Sequence, residues 1–315
     1  MTDLNPAALN PAAHVIPETE DEIKKTVPIP KGTEGGTALR KKSVWASIIA
    51  AIIALLWTIP TIGLLITSFR PPRDIRTSGW WTVWQDPQFT LENYQTALFS
   101  GTANLASFFV NSLVITIPAV IIPISIACMA AYAFAWMKFR GAAFLFVAVF
   151  ALQIVPIQVT LVPLLTQFVD WGLSGTFWPI WIAHSIFALP LAIYLLHNFM
   201  SELPNELVEA ARVDGAGHVT IFLRIMLPLM MPAIAAFAIF QFLWVWNDLL
   251  VGLTFGGSPE VAPLTVQLAN LAGNRGSQWH LLSAGAFISM VVPLAVFLSM
   301  QRYFVRGLLA GSVKG

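Results

Sequence analysis

The chain has 315 residues, 57% hydrophobic and 10% charged, with a mean hydropathy of +0.73 and a formal net charge of +1. Soluble domains carry roughly 25% charged residues, so this composition excludes dispersal in water and places the chain in a bilayer. The near-neutral balance gives no bulk charge to hold a nucleic acid, and the single cysteine, Cys128, excludes an internal disulfide and a multi-thiolate metal site.

Residues 1–43 read as a disordered cytosolic tail. Pro6, Pro11, Pro17, Pro28 and Pro30 interrupt it, six acids and three lysines fall among them before Arg40, and no apolar periodicity appears. Its start is neither basic nor followed by an apolar core, so it is not read as a secretory signal. Arg40, Lys41 and Lys42 then precede the first of six apolar segments, near 44–67, 107–136, 142–168, 175–199, 229–253 and 281–304. Each is long enough to cross the roughly 30 Å hydrocarbon core as a helix. No alternating barrel pattern competes, and the backbone must satisfy itself inside lipid. The predicted fold is therefore all-α, a polytopic membrane protein with a six-helix domain over 44–315.

Between the first two spans, residues 69–106 carry Trp80, Trp81 and Trp84, suited to the headgroup region, and are expected to include a surface helix. Asn111, Gln153 and Gln158 are polar residues within spans, read as helix-to-helix contacts. His184 and His197 stand alone, without a second ligand at metal spacing. Pro60, Pro118, Pro123, Pro156, Pro163, Pro190, Pro232 and Pro293 fall inside spans and are expected to bend them. Residues 254–280, rich in Gly, Pro and small polar residues, are read as an exposed loop able to reach another protein.

Basic residues set the orientation. With a cytosolic N-terminus, 13 of the 17 Lys and Arg fall on cytosolic segments, leaving Arg70, Arg73, Arg76 and Arg275 outside. Both termini, and the polar loop at 200–228, are then cytosolic.

That loop forms helix readily from Pro204, which is acceptable in a first turn. Leu207, Ala210, Ala211 and Asp214 follow i, i+3, i+4, i+7 spacing and are placed on one face, where the two alanines would permit close approach of a partner. Gly215 and Gly217 are expected to supply unusual backbone angles for a sharp turn, and His218 to Leu227 a second short helix. The product is a rigid lever. No G-x-x-x-x-G-K-[ST] run, Gly-x-Ser-x-Gly elbow or HExxH pair occurs in the sequence.

Glu209-Ala210-Ala211, three further residues, Gly215, nine further residues and Ile225-Met226-Leu227-Pro228 resemble the EAA pattern of the membrane subunits of ATP-driven importers. Asn111-Ser112-Leu113, the run Ala131 to Ala135, Phe139-Arg140-Gly141, WVWNDL at 244–249 and the ending QRYFVRGLLAGSVKG extend the resemblance over 44–315 to MalG-type carbohydrate permeases. The outer stretch RDIRTSGWWTVW is similar to the alpha-glucoside permeases of that group. The resemblance implies a type I ABC importer permease fold in a bacterial cytoplasmic (inner) membrane. It implies a second homologous permease, two cytosolic ABC ATPase subunits and an external sugar-binding protein as partners. ATP and Mg would bind the ATPase, with no cofactor or metal on this chain and no catalysis by it. The loop around Glu209 would sit in an ATPase cleft. Gly311, Ser312, Val313, Lys314 and Gly315 would reach between the ATPase subunits, and the 254–280 loop would probe the binding protein.

Asp248 is the carboxylate placed well inside a predicted span. Gln241, Trp244 and Asp248 follow i, i+3, i+7 spacing with Asn247 beside them, which offers hydrogen bonds for sugar hydroxyls and an aromatic face for C–H surface. The competing reading is an interhelical cluster that holds a gate together. In the maltose importer the partner permease supplies the main sugar contacts, which favours the gate. An intramembrane enzyme using Asp248, an importer permease for a non-sugar solute, and a stand-alone channel or secondary carrier are the alternatives.

Overall fold

The computed structural model describes residues 44–100, 103–273 and 278–310, with side chains described as far as Gln301. The 1–43 tail and the predicted contact tail Gly311 to Gly315 lie outside the described residues. The chain divides into two compact units, Met1–Ile59 and Pro60–Gly315. The boundary falls at Pro60, within the apolar helix α1 (Val44–Phe69).

In the second unit, α1 leads into a short segment made of α2 (Pro72–Thr77), a 3-10 turn at Trp80–Trp84 and α3 (Glu92–Phe99). Arg70 organises it while buried. Its guanidinium donates to the carbonyls of Gly79 at 2.8 Å and Ser78 at 3.3 Å and to the Ser78 hydroxyl at 2.6 Å. These carbonyls lie just past the end of α2, where a cation complements the helix dipole. Asn93 on α3 donates to the carbonyls of Ser68 and Arg70, at 2.9 and 2.7 Å. Trp80, half-buried, packs within its own chain. It lies over Gly63, where a Cβ would come within 2.6 Å of its Nε1. Trp81 and Trp84 are exposed, as an interfacial role requires.

The remaining chain comprises α4 (Leu105–Trp136), α5 (Ala142–Ala151) with a 3-10 turn at Leu152–Ile154, α6 (Ile157–Asp170), α7 (Trp178–Ser201), α8 (Asn205–Val213), α9 (His218–Ile221), a π-helical turn at Phe222–Met226, α10 (Leu227–Leu229), α11 (Met231–Trp246), α12 (Leu250–Phe255), α13 (Leu264–Gly273) and α14 (Trp279–Ala310). Helices α1, α4, α7 and α14 are each long and apolar enough to cross a membrane. The third and fifth predicted spans are bent pairs instead. One bends by 99° between Ala142–Ile154 and Ile157–Asp170, the other by 71° between His218–Leu229 and Met231–Trp246. Up to six crossings result among the described residues when each pair counts as one.

The third span breaks because Pro156 disfavours helical geometry at Val155, which is extended at φ −70° and ψ 118°. The fifth bends at Met230, between α10 and α11, with Pro232 in the first turn of α11. Pro60, Pro118, Pro123, Pro163, Pro190 and Pro293 all sit inside helices that continue past them. The expected proline breaks are thus confined to two places.

α4 and α7 form the centre. Ala119, Ala127 and Ala131 on the one, and Ala183, Ala188 and Ala192 on the other, are all buried. Small residues let helix backbones approach closely, which is how helices associate where lipid is as apolar as a side chain. At one end of α4, Tyr132 joins Leu196, Met200, Val208, Ala211, Ile221 and Met226 in one buried cluster. At the other end, Leu105 and Phe108 pack with Leu264, Leu271 and Leu281.

The 254–280 stretch is therefore not the free loop expected from its composition. Asn111 donates to the carbonyls of Pro259 and Ala262, at 3.2 and 3.0 Å. The Ser112 hydroxyl accepts the N–H of Leu264 at 2.8 Å, and Gln267 donates to Ala103 O at 3.0 Å. Val261, Ala262 and Leu264 are buried by this docking, while Gly257, Pro259 and Glu260 stay exposed beside them. Asn111 thus makes a helix-to-loop contact, not the helix-to-helix contact its position suggested.

Candidate functional site

The loop after α7 folds as a short amphipathic helix closed by a tight turn. Glu206 in the first turn of α8 and Arg212 in the last both complement the helix dipole. At the far end, the Gly215 N–H donates to Arg212 O at 3.0 Å and the Ala216 N–H to Ala211 O at 2.9 Å. These are the paired bonds of a Schellman ending. That ending requires a left-handed residue, and Gly215 supplies it at φ +81°. Gly217 does not share this role. At φ −78° and ψ 168° it is extended, a conformation open to any residue.

Val208 and Ala211, three residues apart, face inward and join the cluster around α4 and α7. Ala211 is thus removed from the predicted partner-facing surface, because the helix needs an apolar anchor to its own core. Leu207, Glu209, Ala210 and Asp214 remain exposed. A hollow of about 770 Å³ opens beside α8, with Lys138, Arg140, Glu209 and Arg212 in its wall.

A polar contact ties this lever to the membrane helices. The Tyr132 hydroxyl lies 2.9 Å from His218 Nδ1, and the Tyr132 ring packs on Phe222, centroids 5.3 Å apart. Phe222 opens the π-helical turn, a device common at functional positions. The run Ala131 to Ala135 was legible as a motif, but its contact with His218 was not, since 86 residues separate the partners.

The stripe predicted on the fifth span is divided. Gln241 and Trp244 lie on α11, which ends at Trp246. Asp248 is outside the helix, and its Oδ1 accepts the N–H groups of Val251 at 2.7 Å and Gly252 at 3.3 Å, serving the first turn of α12. Asn247 folds back on Leu243 O at 2.7 Å. Neither shares a continuous face with Gln241, because the chain turns between the two helices. Gln241 is fully buried and donates through Nε2 to Ala119 O at 3.2 Å, while its Oε1 has no partner. Trp244 meets the His184 ring edge-on, centroids 6.1 Å apart. Gln153 sits in the 3-10 turn at the bend of the third span, and both it and Gln158 are exposed.

A family model described as binding-protein-dependent transport system inner membrane component matches residues 96–309. The chain is 53% identical over 298 residues to the osmoprotective compounds uptake permease protein GgtD of Synechocystis sp., covering 92% of this chain and 99% of that protein. It is 52% identical over 260 residues to the alpha-glucoside transport system permease protein AglG of Rhizobium meliloti, covering 79% and 68%. Among solved structures, a chain of a bacterial ABC transporter involved in the import of the acidic polysaccharide alginate superposes with a TM-score of 0.70 at 20% identity, over 83% of this chain and 95% of that one. At that identity the match speaks for a shared fold.

Proposed function

Because the chain belongs to the family of binding-protein-dependent transport system inner membrane components, we propose that it is the translocation subunit of an ATP-driven importer for sugars, with alpha-glucosides as the first substrate class. The observation that carries this reading is the exposed Glu209 on a helix whose other face is locked into the core by Val208 and Ala211. A carboxylate presented on a rigid lever is suited to a basic cleft on an ATPase. Two such ATPase subunits would bind ATP and Mg and do the hydrolysis, while this chain carries no cofactor and no catalytic group. A second, homologous permease would complete the path, and an external binding protein would deliver the solute. The basic residues counted along the sequence favour cytosolic termini and a cytosolic lever. Residues Gly311 to Gly315 would contact the ATPase pair.

Closure of the ATPases on ATP would move α8, and the Schellman turn and the Tyr132–His218 contact would pass that movement to α4 and α11. The test is ATP hydrolysis by the reconstituted complex across mono- and disaccharides, with and without the binding protein. Stimulation by alpha-glucosides that requires the binding protein is expected. No stimulation by any sugar, in a complex shown to be intact, overturns the sugar assignment.

A second reading concerns the solute alone. One relative is named for osmoprotective compounds, so a small neutral osmolyte is the alternative cargo. Stimulation by glycine betaine or a polyol, but by no glycoside, would favour it.

A further inference from the structure

The bend of the third span leaves polar groups where lipid does not tolerate them. Taken as one crossing, its two arms, Ala142–Ile154 and Ile157–Asp170, put the bend at membrane depth. Non-helical backbone at that depth persists where it is buried in protein or lines a water-filled cavity. Val155 and Pro156 are exposed, as are Gln153 and Gln158. This surface therefore faces a partner or a wet path.

Two adjoining hollows flank the bend, of about 110 and 180 Å³, and share Gln153 and Phe187 in their walls. The smaller is also lined by Phe240, Gln241 and Trp244, the larger by Thr160. Gln241 is fully buried, and its Oε1 is an acceptor without a donor. The amide cannot be turned over to relieve this, since Nε2 is held by Ala119 O at 3.2 Å and the exchange would set two acceptors face to face. A buried unpaired carbonyl is costly unless something supplies a donor. No side chain in either wall is ionisable.

We infer that Gln153, Gln241 and Trp244 form a subsite on this chain for one edge of a neutral, polyhydroxylated solute. A solute hydroxyl donates to Gln241 Oε1, the Gln153 amide takes a second hydroxyl, and Trp244 and Phe240 face the C–H surface. Pockets that enclose a whole small ligand run to about 300–1,000 Å³, so these hollows hold part of the solute, and the second permease covers the rest. The subsite rests on the sugar-import reading and sharpens it, because it places hydroxyl recognition on this subunit. Asp248 has no part in it.

The test uses the complete complex in proteoliposomes with its binding protein. ATP-driven uptake is measured for methyl alpha-glucoside, maltose, trehalose and sucrose, and then for monodeoxy analogues of the one taken up fastest. The wild-type complex should lose about tenfold in uptake efficiency for at least one analogue, the scale of a single well-made hydrogen bond. Gln241→Met and Gln153→Met should each lower uptake of the parent sugar by about tenfold and abolish the discrimination against a particular analogue. Gln153 is exposed, so its variant decides the matter if Gln241→Met fails to assemble. An identical ranking of analogues in wild type and variants overturns the subsite while sugar import stands. Absence of uptake of all four glucosides by the wild-type complex overturns the import reading, and the subsite with it.

Discussion

The Tyr132 hydroxyl, 2.9 Å from His218 Nδ1, fastens the end of α4 to the residue that opens the second half of the lever. Tyr132 is buried and His218 is exposed, so the contact spans the boundary between core and loop. Tyr132→Phe keeps the ring packing on Phe222 and deletes one hydrogen bond, worth about 1 kcal/mol. The complex should assemble normally, yet solute moved per ATP hydrolysed should fall by roughly two- to fivefold. Simultaneous uptake and phosphate-release measurements check this. An unchanged ratio would show that the hydroxyl does not transmit movement.

Gly215 and Gly217 should respond differently to the same substitution. Gly215→Ala introduces a side chain at φ +81°, where space is open but the backbone is strained, at a cost of about 1–2 kcal/mol. Gly217→Ala meets neither strain nor neighbours and should change stability by less than about 0.5 kcal/mol. Thermal unfolding of the two purified complexes distinguishes them. Equal shifts would mean that the turn does not govern the stability of the lever.

The apolar spans and the coupling loop were legible because each is a local pattern. Twenty apolar residues, or Glu209 to Gly215 before Ile225, need nothing from the rest of the chain. The failures are equally physical. The prolines expected to bend the spans look alike, and the sequence does not say that only Pro156 and Pro232 mark breaks, because that depends on how the neighbouring helices satisfy the backbone. Ala211 and Ala210 look alike in sequence, yet one anchors the helix and the other is exposed. The stripe through Asp248 assumed an unbroken helix, and the turn after Trp246 removed that premise. The polarity of 254–280 concealed its docking, since Asn111 lies more than a hundred residues from its acceptors.

Asp248 should tolerate loss of charge but not loss of its acceptor. Its Oδ1 receives two backbone N–H groups of α12, and its carbonyl receives the Thr265 hydroxyl at 2.6 Å. Asp248→Asn retains an acceptor in the same place, so uptake and stability should stay within about 0.5 kcal/mol of wild type. Asp248→Ala leaves the first turn of α12 unserved and should cost about 1 kcal/mol. Paired unfolding and uptake assays read both. Complete loss of transport in the Asn variant would restore a chemical role for the carboxylate.

Asn111→Ala should loosen the docked segment around Pro259 and Ala262 without disturbing α4. The two carbonyls it serves, of Pro259 and Ala262, lie on the stretch proposed to meet the binding protein. Their loss should cost roughly 1–2 kcal/mol of local stability. Hydrogen exchange across 258–264 should rise, and the binding protein should stimulate ATP hydrolysis less. Unaltered exchange at those amides would mean that the buried apolar contacts of Val261 and Leu264 hold the segment alone.

Glu209 offers the clearest separation of folding from coupling, since its neighbour on the same turn does the opposite job. Val208 is buried in the core cluster, and Val208→Asp should prevent assembly by placing a charge there without a partner. Glu209 is exposed, so Glu209→Gln and Glu209→Lys should fold and incorporate into membranes like wild type. If its charge seats the lever in an ATPase cleft, the Gln variant should weaken retention of the ATPase and the Lys variant should weaken it further, by repulsion from a basic partner. Uptake should fall in the same order. Full transport by Glu209→Lys in an intact complex would remove this carboxylate from the coupling contact and transfer the role to Leu207 and Ala210, the apolar residues exposed beside it.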